Sequence, residues 1–195
     1  MDLTSLLMLN RSYRRFDASK PIADETLRTL VDLTRYCASG RNLQPLKYRI
    51  VSSRDECEMV FPHLKWAGYL TDWDGPVSDE RPVAYLVQCL DEDITTNPLC
   101  DDGLQIEALT LGAVEKGLGT CIIKSFNVKE ISEILNLPSN LKPLYVIALG
   151  HPVEKVEIVD WNPESPEPFK YYRLPDGTHC VPKRPLRSLL INSDK

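Results

Sequence analysis

The sequence predicts an α+β fold. Helical and strand-like segments are mixed without a regular strand–helix–strand alternation, and the apolar fraction of 43% with 26% charged residues is that of an ordinary globular chain. Its 195 residues suggest one domain, 1–195, large enough that roughly 70% of the unfolded surface can be buried without a staple.

Each element follows from local pattern. Leu3, Leu6 and Leu7 have helical spacing, which predicts a short amphipathic helix over 2–10. RSYRRF then reads as a polar, cationic hinge. Pro21 and Asp24 open a second helix with Leu27, Leu30, Val31 and Thr34 on one face, ending near Gly40. RNLQP (41–45) is a loop, LKYRIVSS (46–53) alternates like a strand, and RDECEMVF is a short helix stopped by Pro62. Residues 62–82 show no regular period and carry Trp66, Tyr69 and Trp73. A long aromatic loop in a compact domain is commonly functional, so these residues are a candidate substrate lid, with dimer packing as the competing reading.

VAYLVQCL (83–90) reads as a buried strand and Asp101–Lys116 as the longest helix. That helix carries two apolar stripes, one through Leu104, Ala108 and Leu111 and one through Ile106, Leu109 and Ala113, which predicts burial nearly all round. Asp101 and Asp102 at its start favour the helix dipole without needing a metal. TCIIKSF (120–126) is a strand, Asn127 with Glu130 caps a helix over 128–136, and PLYVIALG (143–150) is another apolar strand. The tail, 151–195, is proline-rich and expected to be irregular. It is too apolar at Phe169, Tyr171, Tyr172 and Leu186 to be a free linker, so it should wrap over something.

Composition excludes several classes. The net charge of −5 argues against non-specific nucleic-acid binding. No apolar run approaches the ~20 residues of a membrane span, and MDLTSLLMLN lacks the features of a signal peptide, so a cytoplasmic protein is expected. The six cysteines have no zinc-like spacing and read as small buried hydrophobes. His63, His151 and His179 are far apart and read as surface or capping residues, so no metal site is expected. Charge is unevenly spread: residues 1–20 carry net +2 and residues 179–195, with Lys183, Arg184, Arg187 and Lys195 against Asp194, carry net +3. Beside the reading as solvated surface, both ends could converge on one phosphate. Gly117-x-Gly119 closes a helix and is no dinucleotide fingerprint.

The remaining polar residues form a pattern. Arg11, Ser12 and Arg14 offer forked donors and a hydroxyl to an anion, and Asn42 and Gln44 offer paired groups for a heterocycle edge. Arg11–Phe16 resembles the R-S-x-R-x-F signature of the nitroreductase-like flavoprotein family, and Ser39–Pro45 its S-x-x-N-x-Q-P loop. Asp102-Gly103, Glu107–Leu109 and Gly117–Cys121 are similar to its central helix and following strand. Leu149–Pro152 and Lys183–Leu186 match its closing elements, all in the family's order.

The resemblance implies an α/β/α sandwich with a mainly antiparallel central sheet, an extended C-terminal tail, and a homodimer holding FMN in its interface. Arg11, Ser12 and Arg184 would grip the phosphate, with Lys183 in support, since Asn10 stands where the family often has a further arginine. Arg14 would lie near the ribityl chain and pyrimidine edge, and Ser39, Asn42 and Gln44 would come from the second subunit or complete the flavin edge. Ile122, Ile123, Lys124 and Ser125 would run along the ring, with the Lys124 N–H towards N5. The implied activity is an NADH- or NADPH-dependent FMN oxidoreductase, passing hydride through flavin N5 to a nitroaromatic, quinone or similar small acceptor by a ping-pong mechanism. The flavin carries the chemistry, so no catalytic side chain is assigned. Other readings are a reductive dehalogenase or flavin-consuming enzyme on the same fold, or a flavin-binding module without useful turnover.

Overall fold

A computed structural model describes residues 1–191; Asp194 and Lys195 of the basic C-terminal run lie outside the described residues. The chain resolves into two compact units, one of residues 1–66 and 74–153, the other of residues 67–73 with the chain from Glu154 onward.

The first unit is built on a four-stranded antiparallel sheet in the order β1 (Leu46–Val51), β2 (Ala84–Asp91), β4 (Leu141–Gly150), β3 (Gly119–Ile123). Helices α2 (Asp24–Leu33) and α4 (Asp101–Glu115) cover one face, where Leu27, Leu30, Ile106, Leu109 and Ala113 pack against Leu86, Ile147 and Leu149. Each fully buried leucine or isoleucine there contributes about 1.5–3 kcal/mol of transfer free energy. The alternate residues Tyr85, Val87, Val146 and Ala148 are fully buried too, so both faces of the sheet are covered. On that unit, α5 (Val128–Ile134) packs against β4 and α3 (Arg54–Val60) against α5. The fold is α+β with a mainly antiparallel sheet, as expected.

Local chemistry sets the boundaries. α1 (Leu3–Leu9) starts where the Asp2 carboxylate accepts the Ser5 N–H, and α5 where Asn127 accepts the Glu130 N–H. α2 ends short of Gly40. Thr34 bonds back to the Val31 carbonyl at 2.7 Å and the chain tightens into a 3₁₀ turn, Thr34–Tyr36.

Two expectations need correction. Only one of the two apolar stripes of α4 is buried within the chain: Ile106, Leu109 and Ala113 face the sheet while Leu104 is 44% exposed. The tail is not irregular either. The second unit contains a small sheet, β5 (Val156–Asp160) parallel to β7 (His179–Lys183), with β6 (Tyr172–Arg173) antiparallel on its other side. Pro182 in β7 and the shortness of all three strands hide the alternation that marks a strand in sequence. Among the described residues, no helix is long and apolar enough to cross a membrane.

Candidate functional site

The cationic hinge lies along β3. Leaving α1, Asn10 turns into the unit: its side-chain amide donates to Thr110 Oγ1 at 2.9 Å and Glu107 Oε1 at 3.3 Å, both on α4. Arg11 Nη2 donates to the Leu7 carbonyl at 2.7 Å, a basic group on the last turn of a helix. Arg11 Nε is buried and has no partner among the described residues. Ser12, exposed, bridges Thr120 in parallel, and the Tyr13 N–H donates to the Thr120 carbonyl at 2.8 Å. Arg14 is 9% exposed, and its Nη1 donates to the Ser12 carbonyl at 3.3 Å. This close approach needs glycine on the strand, since a Cβ at Gly119 would sit 2.8 Å from the Tyr13 ring. Phe16, fully buried, anchors the far end of the hinge against Gly150.

The amide loop is strained and clasped. Arg41, Asn42 and Gln44 all take left-handed backbone, with φ of 52°, 56° and 49°. Non-glycine residues there cost about 1 kcal/mol or more each and persist only where the surroundings hold them. The clasp is Asp101 at the start of α4, 1% exposed. Its Oδ2 accepts the Ser39 hydroxyl at 2.6 Å and its Oδ1 the Gly40 N–H at 2.9 Å. Ser39 Oγ in turn accepts the Gln44 N–H at 2.9 Å. Ser39 therefore commits its one proton to Asp101, while Asn42 and Gln44 stay exposed. The sequence reading had Asp101 only as a helix-dipole acid, and nothing local links it to Ser39, 62 residues away.

Past β3 the surface changes character. Cys121 and Ile123 are buried, Ile122 is 42% exposed, and Lys124 and Ser125 follow exposed. The Ser125 carbonyl accepts the Lys65 N–H at 2.9 Å. Tyr48, Gln88 and Tyr145 are successive cross-strand partners, and Lys124, one residue past the Ile123–Val146 pair, continues their row. Gln88 Nε2 donates to Tyr48 Oη at 2.8 Å, and Tyr48 donates to Gln105 Oε1 at 3.1 Å. Burial pushes the Tyr48 phenol well above its ordinary range.

The three lid candidates divide. Trp66 is 8% exposed in the first unit, 5.8 Å from the Phe61 ring and close under Gly75, so it offers no open ring. Tyr69 and Trp73 belong to the second unit. With Leu70, Thr71, Asp72 and Arg173 they line a cavity of about 240 Å³, where the Arg173 guanidinium lies 4.4 Å from the Trp73 ring centroid. In the same unit, Lys183 is exposed at the end of β7, and Arg184 folds back on Ser188, donating to its hydroxyl at 3.3 Å and to its carbonyl. His179 is fully buried beside Tyr171, not a surface or capping residue. A cleft of about 480 Å³ in the first unit, lined by Pro21, Cys57, Asp79 and Arg81 among others, contains none of the cofactor-site or lid residues expected from the sequence.

Comparison with known proteins gives this arrangement a relation. A curated relative, an NADPH-flavin oxidoreductase of Vibrio harveyi, is 26% identical over 170 residues, covering 78% of this chain and 66% of the relative, so the chain spans just under two thirds of that protein. The crystal structure of a nitroreductase family protein from Clostridium difficile 630 aligns over 100% of both chains, with a TM-score of 0.67 and 20% identity. That of the Vibrio harveyi NADPH:FMN oxidoreductase complexed with NAD+ aligns over 83% of this chain and 73% of its own, with a TM-score of 0.64 and 23% identity. The model of the nitroreductase family matches residues 10–72 and 79–151, which include the hinge, the amide loop, α4 and β3. The chain belongs to the nitroreductase family.

Proposed function

We propose that the protein is an FMN-dependent NAD(P)H oxidoreductase that reduces a small acceptor, such as a nitroaromatic or quinone, with donor and acceptor taking turns at one site. The observation that carries this reading is the parallel seating of Arg11–Tyr13 on β3. It makes one continuous edge of an arginine, a serine hydroxyl, an exposed apolar Ile122 and the backbone of Lys124 and Ser125. The donor set suits a phosphate-tailed flavin. Arg11 has a buried Nε with no partner among the described residues, Ser12 is exposed, and Asn42 and Gln44 present amides on a loop that the chain spends strain to shape.

In this reading Arg11 and Ser12 bind the phosphate, and Lys183 and Arg184 serve the same group, as the family resemblance implies. Arg14 supplies positive charge near the pyrimidine edge. Asn42 and Gln44 fix the ring edge, while Ser39 acts mainly by holding their loop. Ile122 and Ile123 flank the ring, and the N–H of Lys124 donates to its redox-active nitrogen. Bound FMN supplies two-electron chemistry; the protein's part is orientation and charge. A preorganised donor of this kind contributes about 3 kcal/mol to transition-state stabilisation.

The names of the Vibrio harveyi relatives support a nicotinamide donor and a flavin. The exposed Leu3, Leu7, Met8 and Leu9 of α1 and Leu104 of α4 support a homodimer that covers them. Tyr69 and Trp73 remain lid candidates, and the chain from 151 on a wrapping tail. Binding of two flavins tests the phosphate assignment. Arg11→Ala and Arg184→Ala should each weaken FMN by about tenfold, or ~1.4 kcal/mol, and leave riboflavin nearly unchanged. FMN affinity unchanged from that of the unsubstituted protein in both variants contradicts it.

A further inference from the structure

The polar row crossing the sheet ends in a cation that no carboxylate among the described residues neutralises. Lys124 Nζ donates to Tyr145 Oη at 3.2 Å and lies 4.9 Å from the Tyr145 ring centroid. Both contacts are to a neutral side chain. Six other lysines (20, 47, 129, 142, 155 and 170) pair with carboxylates, whereas Lys65, Lys116, Lys124 and Lys183 have no carboxylate within ion-pair distance among the described residues; of these four, Lys124 is the one held by a tyrosine. On a chain of net charge −5, this ammonium is held in place and has no ion-pair partner among the described residues. Holding it matters, because a free lysine side chain carries rotamer entropy that a ligand would otherwise have to overcome.

Its surroundings narrow what it could meet. Ile122, exposed and apolar, lies on β3 two residues before it, on the side that the strand's alternation continues at Lys124, and the exposed Ser125 follows it. A fixed ammonium beside an apolar side chain and a hydroxyl suits a flat ring that carries an anionic group. We propose that Lys124, steadied by Tyr145, is the specificity determinant for the acceptor, selecting aromatic acceptors that bear a carboxylate or sulfonate. This rests on the reading above, in which the Lys124 backbone faces the flavin, but it concerns the side chain, to which that reading gives no task.

The experiment uses the FMN-loaded protein and two acceptors of nearly equal shape, 4-nitrobenzoate and 4-nitrobenzamide. At low ionic strength kcat/KM should favour the acid by about tenfold, and salt should erode the preference. The ratio should fall to near one in Lys124→Ala and invert in Lys124→Glu. Tyr145→Phe, which frees the ammonium but keeps its charge, should fall between.

A second readout needs no turnover. Benzoate should perturb the visible absorbance of the oxidised holoprotein at lower concentration than benzamide, and Lys124→Ala should remove the difference. A preference unchanged by Lys124→Ala, or an equal fall for both acceptors, overturns the inference; the equal fall would mean that the side chain serves the flavin instead. Lys124-dependent benzoate binding by a holoprotein that NADPH and NADH do not reduce would sink the proposed activity and sustain this inference. A chain that retains no flavin overturns both.

Discussion

Asp101 carries more of the candidate site than any residue the sequence singles out. Its two oxygens accept from Ser39 and Gly40, and Ser39 then accepts from Gln44, so one buried carboxylate fixes both ends of a loop with three left-handed residues. Polarity is essential. In Asp101→Asn one side-chain oxygen can still accept the Gly40 N–H, but the amide NH₂ then faces Ser39 Oγ, whose proton loses its acceptor. Hydrogen bonds to a charged group contribute about 1.5–3 kcal/mol each, and losing one should let the loop relax. The expected result is an FMN dissociation constant about tenfold higher, with riboflavin weakened by the same factor because the loop serves the ring and not the phosphate. Fluorescence titration of both flavins measures this, and wild-type affinity for riboflavin would contradict the positioning role. Residue identity made Asn42 and Gln44 legible in sequence. Their clasp was not legible, because a contact spanning 62 residues leaves no local pattern.

At the scale of elements, whatever had a clean period or a cap was readable. The helices opening at Leu3, Asp24, Asp101 and Val128, and the four strands of the main sheet, follow from helical spacing, capping residues and apolar runs. The three strands of the tail were not readable. Two pair in parallel and one has only two residues, so none shows a sustained alternation. The outward stripe of α4 was misjudged for a different reason: an apolar side chain marks a face that can be buried, without saying by what. The contact between hinge and β3 depends on Gly119, whose missing side chain leaves room for the Tyr13 ring. Gly119→Ala should therefore destabilise the protein by about 1–3 kcal/mol through overpacking and loosen the Ser12–Thr120 bridge. Urea denaturation with and without FMN checks both effects. An unchanged midpoint would show that the hinge yields without cost.

For the molecule as a whole, the four-stranded sheet, the hinge on its β3 edge and a clasped amide loop supply the parts of the proposed flavin site, and membership of the nitroreductase family fits it. An acidic chain whose first twenty and last seventeen residues are each net positive is suited to a cofactor with a phosphate at one end. The fold class was legible from the mixture of elements. The division into two units was not, because the segment 67–73 joins the tail from a distance in sequence. The central claim is that this site turns over a flavin with a nicotinamide donor. Anaerobic titration of the FMN-loaded protein with NADPH, and then NADH, tests it most directly. The yellow colour should bleach rapidly on stoichiometric addition of at least one donor and return when an acceptor is added. A protein that holds FMN but stays yellow with both donors would contradict it.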